Sequence, residues 1–363
     1  MSIKDEVFSI LPREKGGSTA SNRFDYQKNW AICKILELHA KPDDYLVSFE
    51  YHDDIIIFDS SLDPQKISFF QVKTQTEKVT HWKIGDLLKR SKNKAGQLKN
   101  SYLGKMYDNI IKYKGQVESL CFVTNAKIKG SLSNNVNCDD VLGFKCGELC
   151  DVDLNKILDG LKIEYSLSDL GNFKDIMFFK VGQLSIAKHD QLAKAELADF
   201  IEAKFPGKKY QVVTLYKNIF EEVRRKSNVE ETITDFQTLK EKKSISRDDF
   251  EKYLAMVTSD DKLELTISRV EGRLNAEQID FDFVRTFKRY AKLYDVERSN
   301  HSNQMLKTLI AKSKNIVDKS SCRGATLWVT LDCLFVEAKQ NITTASFIDD
   351  DYLRTILLFH LYE

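Results

Sequence analysis

The chain has 363 residues, 42% hydrophobic and 30% charged, with a formal net charge of +1 at pH 7. That length suits two or three domains of about 150 residues, and the apolar share is ordinary for a globular chain with a real core. No stretch approaches eighteen uninterrupted apolar residues, which excludes a membrane-spanning helix.

Four prolines and fifteen glycines point to a largely helical protein with few long linkers. Seven cysteines, an odd number mostly in apolar contexts, suit reduced thiols better than a disulfide framework. The opening MSIKDEVFSILPREK lacks the basic and apolar regions of a signal peptide, so a cytoplasmic location is expected.

Residues 1–22 read as an arm and a glycine turn at Gly16-Gly17. Ser21 or Asn22 then caps a helix running to about Ala40, with Phe24, Ala31, Ile32, Ile35 and Leu38 on its apolar side. Tyr26 and Trp30 are expected in the core. Two short β-branched and aromatic runs follow, Ile55–Phe58 and Ile67–Val72, separated by eight residues containing Asp63-Pro64. They read as an antiparallel hairpin with a long loop. If the loop is symmetric, Phe58 faces Ile67 and Asp54 faces Gln71. Facing side chains share one side of the pair, and Lys73, two residues on, shares it too. A carboxylate and an amide oxygen can together hold a hard divalent cation. A lysine beside them can orient a metal-bound water and neutralise a phosphate. The bland alternative is a solvated strand end.

Asp54, sixteen residues, then Gln71-Val72-Lys73 resembles the PD-(D/E)xK nuclease core, in the variant with Gln at the second acidic position. Gly16-Gly17 and Phe24-Asp25-Tyr26-Gln27 are similar to one branch of it, the endonuclease domains of bacterial anti-phage defence islands. Those domains occur in CD-NTase-associated effectors, followed by a ligand-sensing SAVED domain, and in systems paired with a HerA-type ATPase. The resemblance covers roughly residues 10–130 and extends to 205 at most. It implies a restriction-endonuclease-like mixed sheet flanked by helices. It also implies Asp54 as metal ligand, Gln71 as metal or water contact, and Lys73 as catalytic lysine. Mg²⁺ is the implied cofactor, with Mn²⁺ able to substitute. Gln71 removes one negative charge from the site, and Glu50 and Asp53 are the candidates to restore it, Glu50 as a ligand and Asp53 in support. Gln27 is a further supporting candidate, since an N-terminal helix commonly supplies a polar residue to such sites.

After Lys73 an amphipathic region runs from Trp82 to Tyr113 with apolar residues three or four apart. Between Lys83 and Lys114 nine Lys and Arg stand against two Asp, a local charge of +7, so the rest of the chain carries −6. Beside a phosphodiesterase site this excess reads as a nucleic-acid-tracking groove, with Lys83, Lys89, Arg90, Lys92, Lys94 and Lys99 as its contacts. Val117–Thr124 is a buried strand that extends the hairpin sheet. Cys138, Cys146 and Cys150 invite a zinc reading, but no CxxC pair and no nearby histidine completes four ligands. Asp175–Ser185 contains another strand, and a helix follows from Ala187 to Lys204.

Pro206-Gly207 is the clearest punctuation and sets the expected boundary between a nuclease domain (1–207) and a helical assembly or regulatory domain (208–363). A helix begins near Val212, Ser246 and Asp249 form a helix-start signal, and more helices cover Ala276–Leu293, Ser302–Ser320, Gly324–Lys339 and Asp349–Glu363. None carries a phosphate loop, nucleophile elbow or dinucleotide fingerprint. They also lack the strand–helix alternation of a SAVED domain. The apolar stretch Tyr352–Tyr362 packs in a core or docks across a subunit interface. The reading is a Mg²⁺-dependent endonuclease acting on double-stranded DNA, homo-oligomeric, partnered by a HerA-type ATPase. Two alternatives compete, a cyclic-nucleotide-activated effector nuclease and a non-catalytic nucleic-acid-binding scaffold.

Overall fold

The computed structural model describes residues 16–208, 210–298, 303–343 and 348–362. The chain forms two compact units, Met1–Ile201 with Val223–Arg247, and Glu202–Glu222 with Asp248–Glu363. Pro206-Gly207 therefore lies just past the first crossing, and residues 223–247 return to the first unit.

In the first unit, helix α1 (Gly16–His39) leads into the antiparallel strands β1 (Leu46–Phe49), β2 (Ile55–Phe58) and β3 (Ile67–Lys73). Strands β5 (Val117–Thr124) and β8 (Met177–Val181) continue the sheet in parallel beyond β3, and β7 (Gly143–Lys145) closes that edge antiparallel to β8. At the opposite edge β9 (Ser244–Ser246) pairs antiparallel with β1, giving a seven-stranded mixed sheet in the order β7-β8-β5-β3-β2-β1-β9. A parallel pair, β4 (His81–Lys83) with β6 (Lys127–Lys129), stands apart from it.

The central strand β3 is buried along all but its last residue, as its nearly continuous apolar run ISFF requires. Its pleat divides the layers. Phe69 meets the ring of Tyr113 at 5.2 Å, on the face covered by α3 (Tyr102–Tyr113) and α4 (Asp151–Tyr165). Phe70 points the other way, 5.4 Å from the ring of Trp30 on α1. Behind α1 lies α6 (His189–Lys204), joined to it by a buried contact of Asn29 Nδ2 with His189 Nδ1 at 2.8 Å. Tyr26 and Trp30 are core residues, as expected.

Two local expectations are corrected. Helix α1 starts at Gly16, so the glycine pair lies inside its first turn and Ser21 and Asn22 do not cap it. The amphipathic region is also not continuous. A short helix α2 (Ile84–Leu87) ends at Leu88, and a hairpin with a Lys92↔Leu98 bridge precedes α3. Turn chemistry overrides the helical spacing there. Asn93 Oδ1 accepts from the N–H groups of Ala95 and Gln97, and Gly96 takes φ +80°, open to glycine at little cost. Helix α3 starts cleanly because Ser101 Oγ accepts from Gly104 N–H at 2.9 Å and donates to Glu164 Oε2 at 2.7 Å. A Cβ at residue 104 would lie 2.2 Å from Glu164 Oε1, so only glycine admits that carboxylate.

The described residues of the second unit contain helices alone: the start of α7 (Val212–Ser227), then α9 (Arg247–Ala276), α10 (Phe281–Arg298), α11 (Gln304–Lys319), α12 (Leu327–Asn341) and α13 (Asp350–Tyr362). Ile356, Leu357, Leu358 and Phe359 of α13 are buried against α10, α11 and α12, so the apolar stretch Tyr352–Tyr362 is core. Cys322 and Cys333 form a disulfide, which corrects the expectation of seven free thiols. The loop before α12 brings their Cα atoms to 5.9 Å, within bridging range. No described helix is long and apolar enough to cross a membrane.

Candidate active site

The hairpin register is the symmetric one: Phe58 faces Ile67 and Ile55 faces Phe70, which brings Asp54, just before β2, to the level of Gln71. Five residues join β1 to β2. The turn closes with a hydrogen bond from Glu50 N–H to Asp54 O at 3.1 Å, and Glu50 has the left-handed φ of +46°. Asp53 and Asp54 at its end point to β3 and α3.

Asp54 Oδ2 accepts from Val72 N–H at 2.7 Å. Lys73 Nζ donates to both Asp54 oxygens, at 2.8 and 3.0 Å. Asp53 Oδ2 accepts from Asn109 Nδ2 on α3 at 2.7 Å, and its Oδ1 from Gln71 Nε2 at 3.4 Å. Burial pushes the Asp53 carboxyl up to about 7; the Asn109 bond opposes this, and the Asp54 charge adds to it. Glu50 is exposed as a residue, but its carboxyl is partly desolvated near Asp54, and both effects raise its pKa, burial first. Gln27 on α1 donates to Val72 O at 2.8 Å, which pins the end of β3. Asp54, Gln71, Lys73, Asp53 and Gln27 thus converge, with Glu50 at the near end of the turn.

Two acceptor atoms here stand out. Gln71 Oε1 and Gln27 Oε1 are buried and have no hydrogen-bond partner. A buried amide oxygen without a donor is destabilising by roughly 1–3 kcal/mol, and a hard cation or its bound water would satisfy it. No cluster of three His, Cys, Asp or Glu side chains suited to a metal occurs among the described residues. A donor set able to hold a hard cation here would be mixed: the Asp54 carboxylate, the Gln71 amide oxygen and Glu50, completed by water and phosphate oxygens.

A cleft of about 750 Å³ opens beside Lys73, lined by Arg23, Phe24, Gln27, Trp82 and Tyr102 among others. Of the basic residues expected to track nucleic acid, Lys83 lies on β4, and Lys89, Lys92, Lys94 and Lys99 are exposed on and beside the hairpin. Arg90 is half-buried, donating to Lys99 O at 3.2 Å and lying 3.8 Å from Glu164, so it braces the hairpin. Three residues near the site escaped the sequence reading. Lys105 lies close enough to Asp53 to favour its ionised form. Asn109 had a legible signal, an amide between Met106 and Ile110 on the apolar side of α3. Lys243 had none, since it lies 170 residues beyond Lys73 in sequence. Cys138 and Cys146 are buried thiols and Cys150 is half-buried.

The first unit is thus a mixed seven-stranded sheet flanked by helices, with Gln71 and Lys73 at the end of its central strand β3 and Asp54 beside them just before β2. The family model of the Cap4 dsDNA endonuclease domain matches residues 15–227, over half the chain, and the chain belongs to that family. It is also similar to the Lamassu protein LmuA of Bacillus cereus (strain VD014), at 25% identity over 309 residues, covering 84% of this chain and 79% of that protein. No solved structure matches.

Proposed function

We propose that the chain is a Mg²⁺-dependent endonuclease of double-stranded DNA, and the nuclease subunit of an anti-phage defence complex. The observation that carries the chemistry is the Lys73–Asp54 ion pair next to Asp53 and its partner Gln71, whose amide oxygen is buried and unpartnered. Hydrolysis forms a P–O bond from water while the bond to the leaving oxygen breaks; one water proton goes to a base and the leaving oxygen gains one. Asp54, Gln71 and Glu50 would hold the ion, which supplies positive charge to the phosphate and acidifies water when bound. Mn²⁺ would serve in its place. Lys73 Nζ, held by Asp54, would orient the attacking water and take up charge developing on the phosphate. Asn109 and Gln71 steady Asp53, and Gln27 steadies the strand end that carries Lys73.

The exposed lysines of the 91–99 hairpin are the proposed backbone contacts. The likeness to LmuA supports the defence role. A HerA-type ATPase partner and a homo-oligomeric state belong to the proposal through the motif resemblance, with the helical unit as the assembly element. The test is cleavage of duplex DNA with Mg²⁺ and with EDTA by the parent, Asp54→Ala and Lys73→Met. The parent should cut only with the ion, and each variant should lose at least about a hundredfold in rate while staying folded. A folded Asp54→Ala chain cutting at the parental rate would remove Asp54 from the site.

A further inference from the structure

The acidic turn is anchored by a segment beyond the family match, which ends at residue 227. Helix α8 (Phe236–Lys243) ends in a lysine that is 6% exposed, and its Nζ donates to Glu50 O at 2.9 Å. Glu50 is the residue that most needs an anchor. A left-handed backbone disfavours a side chain by about 1 kcal/mol or more, so without outside support the turn relaxes. Two bonds hold its main chain at this point, Glu50 N–H to Asp54 O and Lys243 Nζ to Glu50 O. Both bear on the residue that sets the path to Asp53 and Asp54.

The segment after Lys243 fixes where that ammonium arrives. Strand β9 lies against β1 with Ser244 opposite Ser48, and their hydroxyls meet at 2.6 Å. Ile245 is buried. At the far end Arg247 donates to Asp43 O at 2.8 Å, to Leu38 O at 3.2 Å and to Lys41 O, and its guanidinium covers the Tyr45 ring at 5.2 Å. The strand is therefore clamped at both ends, and sliding along β1 would break both clamps. Lys243 meets Glu50 at one register.

We infer that Lys243 is a positioning residue of the nuclease site: it holds the left-handed turn at Glu50 and so sets the spacing of Glu50 and Asp54 for a divalent cation. This rests on the metal-centre reading of that site. Lys243 contacts no proposed reacting atom, and its role runs through the main chain of the turn. Lys240, one turn earlier on the same helix, donates to Ser61 O at 3.0 Å and anchors a different loop, which makes it the control.

The experiment uses the full chain and its Lys243→Met, Lys243→Gln and Lys240→Met variants. Two readouts are taken: Mn²⁺ affinity without DNA, and amide exchange of the segment spanning residues 49–55. Lys243→Met should weaken Mn²⁺ binding by about tenfold, the effect of losing support behind a ligand, and should speed exchange in the turn. Lys243→Gln should show the same changes to a smaller degree. Lys240→Met should leave both readouts at the parental values. Parental Mn²⁺ affinity and parental exchange in either folded Lys243 variant would overturn the inference. A parent that binds no Mn²⁺ would sink the metal-centre reading, and with it the role of Lys243 in metal spacing. Exchange in the turn would still report separately whether Lys243 anchors it.

Discussion

Asp53 accepts a hydrogen bond from Gln71 Nε2, and each limits what the other can become. Asp53, raised to about 7 chiefly by burial, keeps its proton in the fold at pH values where the unfolded chain has lost it. Its contribution to stability is therefore fully present below about pH 4 and is lost as pH rises through 7. Glu50, also raised, acts in the same direction. In EDTA, the metal-free chain should lose roughly 1–3 kcal/mol between pH 5 and 8 from Asp53. Asp53→Asn should flatten most of that slope in urea melts at the two pH values. Gln71→Glu tests the amide. A carboxylate there would sit against Asp53 and near Asp54, and like charges raise one another's pKa. Cleavage by Gln71→Glu should fall at pH 7 and recover toward pH 8.5. A clear gain for the isolated variant in a Mg²⁺ titration would instead mark Gln71 as a weakened ligand. The core of this site was legible because Asp54, Gln71 and Lys73 lie on one hairpin whose register the loop sets. Asn109 and Lys243 reach it from distant elements, and no local pattern encodes such a meeting.

At the scale of elements, strands were the more readable part. Ile55–Phe58, Val117–Thr124 and a strand within Asp175–Ser185 all appear, since short β-branched runs buried on both faces have few other solutions. The basic region is not one continuous helix. Its apolar residues keep a helical spacing, but Asn93 and Gly96 make a turn whose hydrogen bonds are purely local. The exposed lysines therefore sit on a hairpin, and Arg90 is a brace within it. Reversing Lys89, Lys92, Lys94 and Lys99 to Glu should weaken duplex binding and lower the slope of log K against log salt by roughly 0.9 for each phosphate no longer neutralised. Arg90→Glu should instead loosen the hairpin, visible as faster amide exchange over residues 91–99. An unchanged salt slope in the fourfold variant would make this an ordinary solvated loop.

For the whole molecule, each unit has its own core, and the boundary between them is not a single cut. The first crossing falls after Ile201, a few residues before Pro206-Gly207, and no sequence signal marks the return of residues 223–247 to the first unit. A three-residue strand such as Ser244-Ile245-Ser246 is too short to announce itself, and its pairing with β1 depends on residues nearly two hundred positions away in sequence. The Cys322–Cys333 disulfide belongs to the helical unit alone. Reduction, or Cys333→Ser, should lower that unit's stability by about 2–3 kcal/mol. The loss should appear as faster amide exchange in α11 and α12, with DNA cleavage by the first unit unchanged.

The sheet has one more consequence, for how copies of this chain can associate. Both of its borders, β7 and β9, are three residues long. A border strand of that length offers a passing chain very few main-chain hydrogen bonds, which is how natural sheets resist edge-to-edge aggregation. Any association between copies would then have to use side-chain surfaces rather than the sheet's borders. The sheet itself therefore offers no ready template on which a strand of another chain could pair.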